Sequence, residues 1–239
     1  MNRVRIFGKL QAGLAIMKGK VQPSFSQAGE DQVMRYLIND CLKIKNPDYL
    51  DIGTHHPMWG NNTFYFYSRG SKGVCIEPDE RYAKLIRKYR KRDIFLQAGV
   101  SPGQEEKKEF YIFPKQYAGW NTLLQEEAEK RQLTTGIKFE RIEVQLVNIN
   151  DVIHKYFFTC PAIISIDVEG LDLAILKSLD FDLYKPAIIC VESITFSTTN
   201  EQTKINDIGD FMLSKGYFAF ADTYVNTIYC RKDTFKKLE

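Results

Sequence analysis

Short apolar runs recur along the chain, and several end in an acid or a glycine. Tyr49-Leu50-Asp51-Ile52-Gly53 is the first, and Gly73-Val74-Cys75-Ile76-Glu77 the second. Residues 94–98, 162–168 and 187–192 continue the series, with Asp167, Glu169 and Glu192 at the later tips. Runs this short and this uniformly apolar predict strands covered on both faces. Helical spacing fills the intervals. Met34, Leu37, Ile38, Cys41 and Leu42 form one face behind a capping Ser26 and the acids Glu30 and Asp31. Asn46-Pro47 stops that helix. Further helices are predicted over 63–68, 78–90 and 201–215, the last closed by Gly216.

Strands alternating with helices predict a parallel sheet. Residues 217–221 and 227–231 have no helix between them, which predicts an antiparallel edge. Residues 107–113 and 141–147 alternate with period two around a charged helix at 125–132. The stretch 103–147 therefore reads as an irregular insert in a single α/β domain spanning 25–239. A basic arm, 1–24, precedes it.

Composition narrows the class. A chain of 239 residues that is 44% hydrophobic can bury one sizeable core. The net charge of +3 is too near neutral to imply a nucleic-acid partner. No apolar run is long enough to span a bilayer. The arm carries Arg3, Arg5, Lys9, Lys18 and Lys20, a solvated segment or a peripheral contact with an anionic membrane. The five cysteines are scattered without paired spacing, which suits reduced thiols in the cytoplasm and argues against zinc. In the run 81–92, Leu85, Ile86 and Tyr89 are expected inside. Its bases are expected outside, solvated or facing an anionic partner.

A strand ending in an acid and glycine, followed by a second ending in an acid, is how an open α/β fold holds a nucleoside. The glycine pattern of a dinucleotide site and the Gly-Lys-Ser/Thr of a P-loop are both absent. Pro57 and two histidines occupy the turn instead. A nucleoside without phosphates fits better, and S-adenosylmethionine (SAM) is such a ligand. Asp51 is placed to face its ammonium, Glu77 its ribose hydroxyls and Gln97 its adenine edge. Gly53, Thr54, Pro78 and Asp167 complete the expected cofactor contacts.

The segments Phe25-Ser26-Gln27-Ala28-Gly29-Glu30-Asp31, Tyr49 to Gly53, Gly73 to Pro78, Ala98-Gly99-Val100-Ser101 and Ile166-Asp167-Val168-Glu169-Gly170 resemble the FkbM family of methyltransferases. The resemblance spans about residues 25 to 195 in the family's order. It implies a class I methyltransferase fold, Rossmann-like, with a seven-stranded, mostly parallel sheet, an antiparallel edge strand and helices on both faces. It also implies O-methylation of a hydroxyl, often on a sugar or polyketide, and SAM contacts at Asp51, Gly53 and Glu77.

Methyl transfer to an alcohol needs alignment and a proton acceptor. Asp167 and Glu169, at a central strand end, suit base work or a divalent ion, and no metal is assigned. Of the turn histidines, His56 is preferred over His55 as a catalytic candidate, while His154 reads as structural. Glu192 is a candidate for the acceptor pocket, and Trp59, Trp120 and Tyr117 could stack on a sugar ring. The expected acceptor is a small molecule or glycan. An RNA ribose 2′-O-methyltransferase and a non-catalytic SAM-binding module remain as alternatives.

Overall fold

The computed structural model describes residues 13–16, 18–197 and 201–236. Most of the basic arm, including Arg3, Arg5 and Lys9, lies outside the described residues. Among those described, no helix is long and apolar enough to cross a membrane.

The main sheet has seven strands: β1 (Tyr49–Ile52), β2 (Gly73–Ile76), β3 (Ile94–Leu96), β7 (Ile163–Ile166), β8 (Ile188–Glu192), β9 (Tyr217–Asp222) and β10 (Asn226–Arg231). Their order is β3-β2-β1-β7-β8-β10-β9. Neighbours from β3 to β8 run parallel, whereas β10 is antiparallel to both β8 and β9. The expected sheet with its antiparallel edge is therefore present. The chain winds outward from β1 in one direction and from β7 in the other. Such a reversal opens a crevice beyond the carboxyl ends of the strands.

The third expected strand divides. β3 stops at Leu96, and β4 (Gly99–Ser101) leaves the main sheet to pair with β6 (Glu140–Asn148), which also pairs antiparallel with β5 (Lys107–Ile112). The irregular stretch thus builds a three-stranded sheet of its own. A 3₁₀ segment (Lys115–Trp120) and α4 (Gln125–Thr135) accompany it. Phe110, Leu123, Val144 and Leu146 form one small core there, and Tyr111, Phe113 and Ala128 another.

The helices explain three departures from expectation. α1 (Glu30–Arg35) is capped by Gly29 in a left-handed conformation, not by Ser26. Ser26 Oγ instead accepts the N–H groups of Gly29 and Asp31. Asp31 accepts from Ser24, Ser26 and the Phe25 N–H, while Glu30 accepts from Thr223 and Asn226. The two buried acids tie this segment to itself and to β10. α2 (Phe64–Ser68) follows the turn after β1. α3 (Glu80–Tyr89) has Asp79 as its cap and buries Tyr82, Ala83 and Ile86. Tyr89 is exposed, contrary to expectation, and Arg90 beside it is fully buried. The helix ends there, so Arg90 leaves the helical path and turns inward. α5 (Ile149–Tyr156) and α6 (Asp172–Ser178) follow. α7 (Asn206–Ser214) begins later than expected, because Lys204 is bridged to Ile194 in extended form. A short α8 (Lys232–Lys236) follows β10.

Candidate functional site

The carboxyl ends of β1, β2, β7 and β8 open on one cavity of about 490 Å³. Gly53, Glu77, Asp167, Glu169 and Glu192 all line it. Each is supplied by the residue at, or just after, a strand end, so sheet geometry alone brings them together.

Gly53 has φ +78°, a left-handed conformation. A Cβ there would lie 1.8 Å from the Asp167 carbonyl oxygen. The close approach of the β1 and β7 ends thus depends on a missing side chain. Gly53→Ala combines this overlap with a left-handed cost of about 1–2 kcal/mol. We expect it to lower the melting temperature and to abolish cofactor binding in a calorimetric titration.

Glu77 is only 5% exposed, yet borders the cavity. Its Oε2 accepts the His55 N–H at 2.8 Å, and its Oε1 accepts the Asp79 N–H at 2.8 Å. These two bonds fix the carboxylate while leaving acceptor capacity on each oxygen. Burial outweighs them and pushes its pKa up to about 7. Pro78 lines the cavity beside it.

Four expected site residues sit elsewhere. Asp51 is 2% exposed and does not line the cavity. Its Oδ2 accepts from Thr63 Oγ1 at 2.7 Å and from Asn61 Nδ2 at 3.0 Å. Strand alternation turns it under the 54–63 turn, so it organises that turn and stands outside the cavity lining. Thr54 is buried with it, donating to the Asp51 carbonyl. Gln97 lies outside the cavity lining, where its Oε1 accepts from Arg87. His56 lies outside the cavity lining and turns its Nδ1 back to accept the N–H groups of Met58 and Trp59, a loop-closing role. His55 is the histidine that reaches the cavity. Its ring lies 4.0 Å from that of Tyr82, and its Nε2 is buried without a hydrogen-bond partner. Lost hydration holds its pKa down at about 4, so the ring is neutral.

The turn has a second support that the sequence concealed. Arg90 donates to the Pro57 carbonyl, Asn61 Oδ1 and Thr63 Oγ1, and its Nε pairs with Asp93 at 2.7 Å. Asp93 also accepts from Tyr49 and the Gly73 N–H. The Arg90 guanidinium packs over the rings of Tyr49, Phe64 and Tyr67.

The opposite wall is acidic. One carboxylate oxygen each from Asp167, Glu169 and Glu192 lies within 4.8 Å of the other two. Such spacing suits shared protons or a hard cation. Glu169 has φ +58° and pairs with Arg131 at 2.9 Å. Asp172, the first residue of α6, accepts the N–H groups of Val168 and Gly170 and holds the loop. Lost hydration and mutual repulsion raise the pKa of Asp167 well above the usual carboxylate range, and Glu192 likewise. Glu169 is pushed up to about 7 by lost hydration, against the pull of Arg131. Arg131 and Asp172 carry no signal in the sequence, because one sits in a charged helix and the other at an ordinary helix start.

Aromatic residues close the far side. Trp120 and Phe196 line the cavity, their rings edge to face at 5.3 Å. Tyr117 stacks behind Trp120 at 4.5 Å and does not itself line the cavity. Trp59 stands at the rim, 60% exposed.

The site can hold a nucleoside cofactor. Gly53 leaves space for backbone approach, Glu77 offers two fixed acceptor oxygens, and His55 presents an unsatisfied nitrogen. No curated protein matches the chain significantly. Among solved structures, the O-methyltransferase from Bacillus cereus is similar at 12% identity, with TM-score 0.44, covering 93% of this chain and 89% of that one. The precorrin-6y C5,15-methyltransferase from Geobacter metallireducens is similar at 11% identity, with TM-score 0.42, covering 84% and 88%. The family model described as the methyltransferase FkbM domain matches residues 51–219, a span that holds the cavity's four carboxylates. The chain belongs to the FkbM methyltransferase family, whose cofactor is S-adenosylmethionine.

Proposed function

We propose that this methyltransferase transfers a methyl group from SAM to a hydroxyl of a sugar, glycan or related small molecule. The observation that carries this reading is the placement of three clustered carboxylates across one cavity from Glu77. Bound SAM supplies an electrophilic methyl group on a sulfonium. Glu77 accepts from the ribose hydroxyls, and Gly53 lets the end of β1 come close. Asp167 and Glu192 make no side-chain hydrogen bond among the described residues, and whichever of the two is ionised can take a proton from an acceptor hydroxyl. Glu169 is held by Arg131 and so positions the cluster. Alignment of the hydroxyl by the surrounding walls supplies the remainder of the acceleration.

The test is incubation with labelled SAM and a panel of saccharides and glycosides, with the product's methyl position read by NMR. A methyl ether is expected. Methylation solely at nitrogen or carbon would contradict the proposal.

The raised pKa of Glu77 gives a pH dependence with a definite sign. Below about 7 the carboxyl holds a proton in the free protein. Accepting two ribose hydroxyls favours the ionised form, so binding expels that proton. SAM affinity should therefore rise with pH and level off above about 7, changing by up to about tenfold per unit on the acidic side. Titrations from pH 5.5 to 8.5 check this, and the step should vanish in Glu77→Gln.

A further inference from the structure

The two ends of the parallel strands differ in charge. The carboxyl ends carry the cavity and its acids. The amino ends carry bases. The loops entering β1, β2 and β3 present Lys43, Lys45, Arg69, Lys72, Lys91 and Arg92, all exposed. The acids in these loops are engaged: Asp48 accepts the Ala162 N–H, and Asp93 pairs with buried Arg90. Contacts between the loops make them one continuous surface. β1 and β2 start in register, Tyr49 opposite Gly73. The Gly73 N–H donates to Asp93, joining the entries of β2 and β3. The Asp48 carbonyl accepts from Ile163 and the Ala162 carbonyl from Ile188, joining the entries of β1, β7 and β8. Arg231, at the end of antiparallel β10, donates to the Lys185 carbonyl and extends the surface.

Large apolar side chains project from the same end. Phe158, in the loop before β7, is fully exposed at 104%, and Leu183, before β8, is 66% exposed. Exposed Lys155 and Lys185 flank them. A single exposed apolar residue is ordinary on a soluble protein. Two of them beside a field of lysine and arginine match an interfacial membrane contact, where apolar groups enter the headgroup boundary and bases meet lipid phosphates. The acids at this end weigh little against them. Asp233 pairs with Arg231, Asp180 accepts the N–H groups of Asp182 and Leu183, and Asp182 stands exposed. RNA phosphates would attract the same bases, but Leu183 has no aromatic face on which a base can stack. RNA held here would also lie at the far end of the strands from the cavity.

We propose that the amino-terminal end of the sheet docks on an anionic lipid bilayer. Phe158 and Leu183 enter the boundary between headgroups and acyl chains, and the surrounding bases meet lipid phosphates. The cavity, at the other end of the strands, then opens away from the membrane.

The test sediments the full chain with sucrose-loaded vesicles of phosphatidylcholine alone, or of an equal mixture of phosphatidylcholine and phosphatidylglycerol. The protein should pellet with the mixture and not with phosphatidylcholine, and less as salt rises. Phe158→Ser should weaken this binding about tenfold. Lys45→Glu, Lys72→Glu and Lys91→Glu combined should weaken it at least about 100-fold. All four positions are exposed and outside the cavity lining, so melting temperature and calorimetric binding of S-adenosylhomocysteine should hold. The chain's two tryptophans, Trp59 and Trp120, both line the cavity, so brominated lipid should leave their fluorescence unquenched. The basic arm is present in every variant, and binding carried by the arm alone would leave them all equal to the wild type. That equality would overturn the proposal, as would failure to pellet with the anionic vesicles, or quenching by brominated lipid. Tighter binding of a structured RNA than of the anionic vesicles at the same salt would assign the surface to nucleic acid and overturn it as well.

Discussion

Asp167→Asn is expected to lower kcat by about 10²–10⁴-fold, the usual worth of a positioned general base. The substitution keeps size and shape. The main-chain groups of Asp167, which meet Ile52 and the space over Gly53, are untouched. Its carboxylate makes no hydrogen bond whose loss would disturb the fold, so the melting temperature should hold. Asparagine cannot ionise at all, so any repulsion from an ionised Asp167 is removed, which works in the same direction. Steady-state kinetics with an acceptor that the wild type methylates should show the loss in kcat, with KM for SAM little changed. An unchanged kcat would move the base to Glu192, and Glu192→Gln made in parallel would show it.

Arg90→Met should lower the unfolding free energy by about 3–5 kcal/mol, the cost of leaving buried charges without their partner. Both side chains of the Arg90–Asp93 pair are fully buried. Methionine fills the apolar space among Tyr49, Phe64 and Tyr67 but abandons Asp93, Thr63, Asn61 and the Pro57 carbonyl. In a chain of this size that loss corresponds to a fall of roughly 6–20 °C in melting temperature. Arg90→Lys keeps the charge and loses the fork geometry, so its effect should fall between the two. Thermal unfolding followed by circular dichroism decides the matter, and a change below about 1 kcal/mol would show that the network is not a support of the turn.

Much of this was legible in the chain. Apolar runs ending in acids gave the strand positions, because strands covered on both faces leave polar residues only at their tips. The same logic placed Glu77, Asp167, Glu169 and Glu192 at one end of the sheet. Asp51 misled because it lies inside its strand, one residue before Ile52, and side-chain alternation turns it away from the tip. His55 and His56 are neighbours with the same chemistry, and only the left-handed backbone at His55 decides which ring enters the cavity. Arg90 was concealed by the basic run around it. A run of like charges reads as a solvated face, and nothing local marks the residue at which the helix ends and the chain turns inward. Gln97 was placed by continuing β3 through Ala98, whereas the strand stops at Leu96 and the chain passes into the second sheet.

In the proposed function Glu77, fixed by the His55 and Asp79 N–H groups, grips the cofactor's ribose. Calorimetric titration of S-adenosylhomocysteine into the wild-type protein and Glu77→Gln at pH 8 tests it most directly. One site is expected in the wild type, weakened about 10–100-fold in the variant, as the loss of charge-assisted hydrogen bonds requires. Equal affinity in the two proteins, or no binding to the wild type, would contradict it.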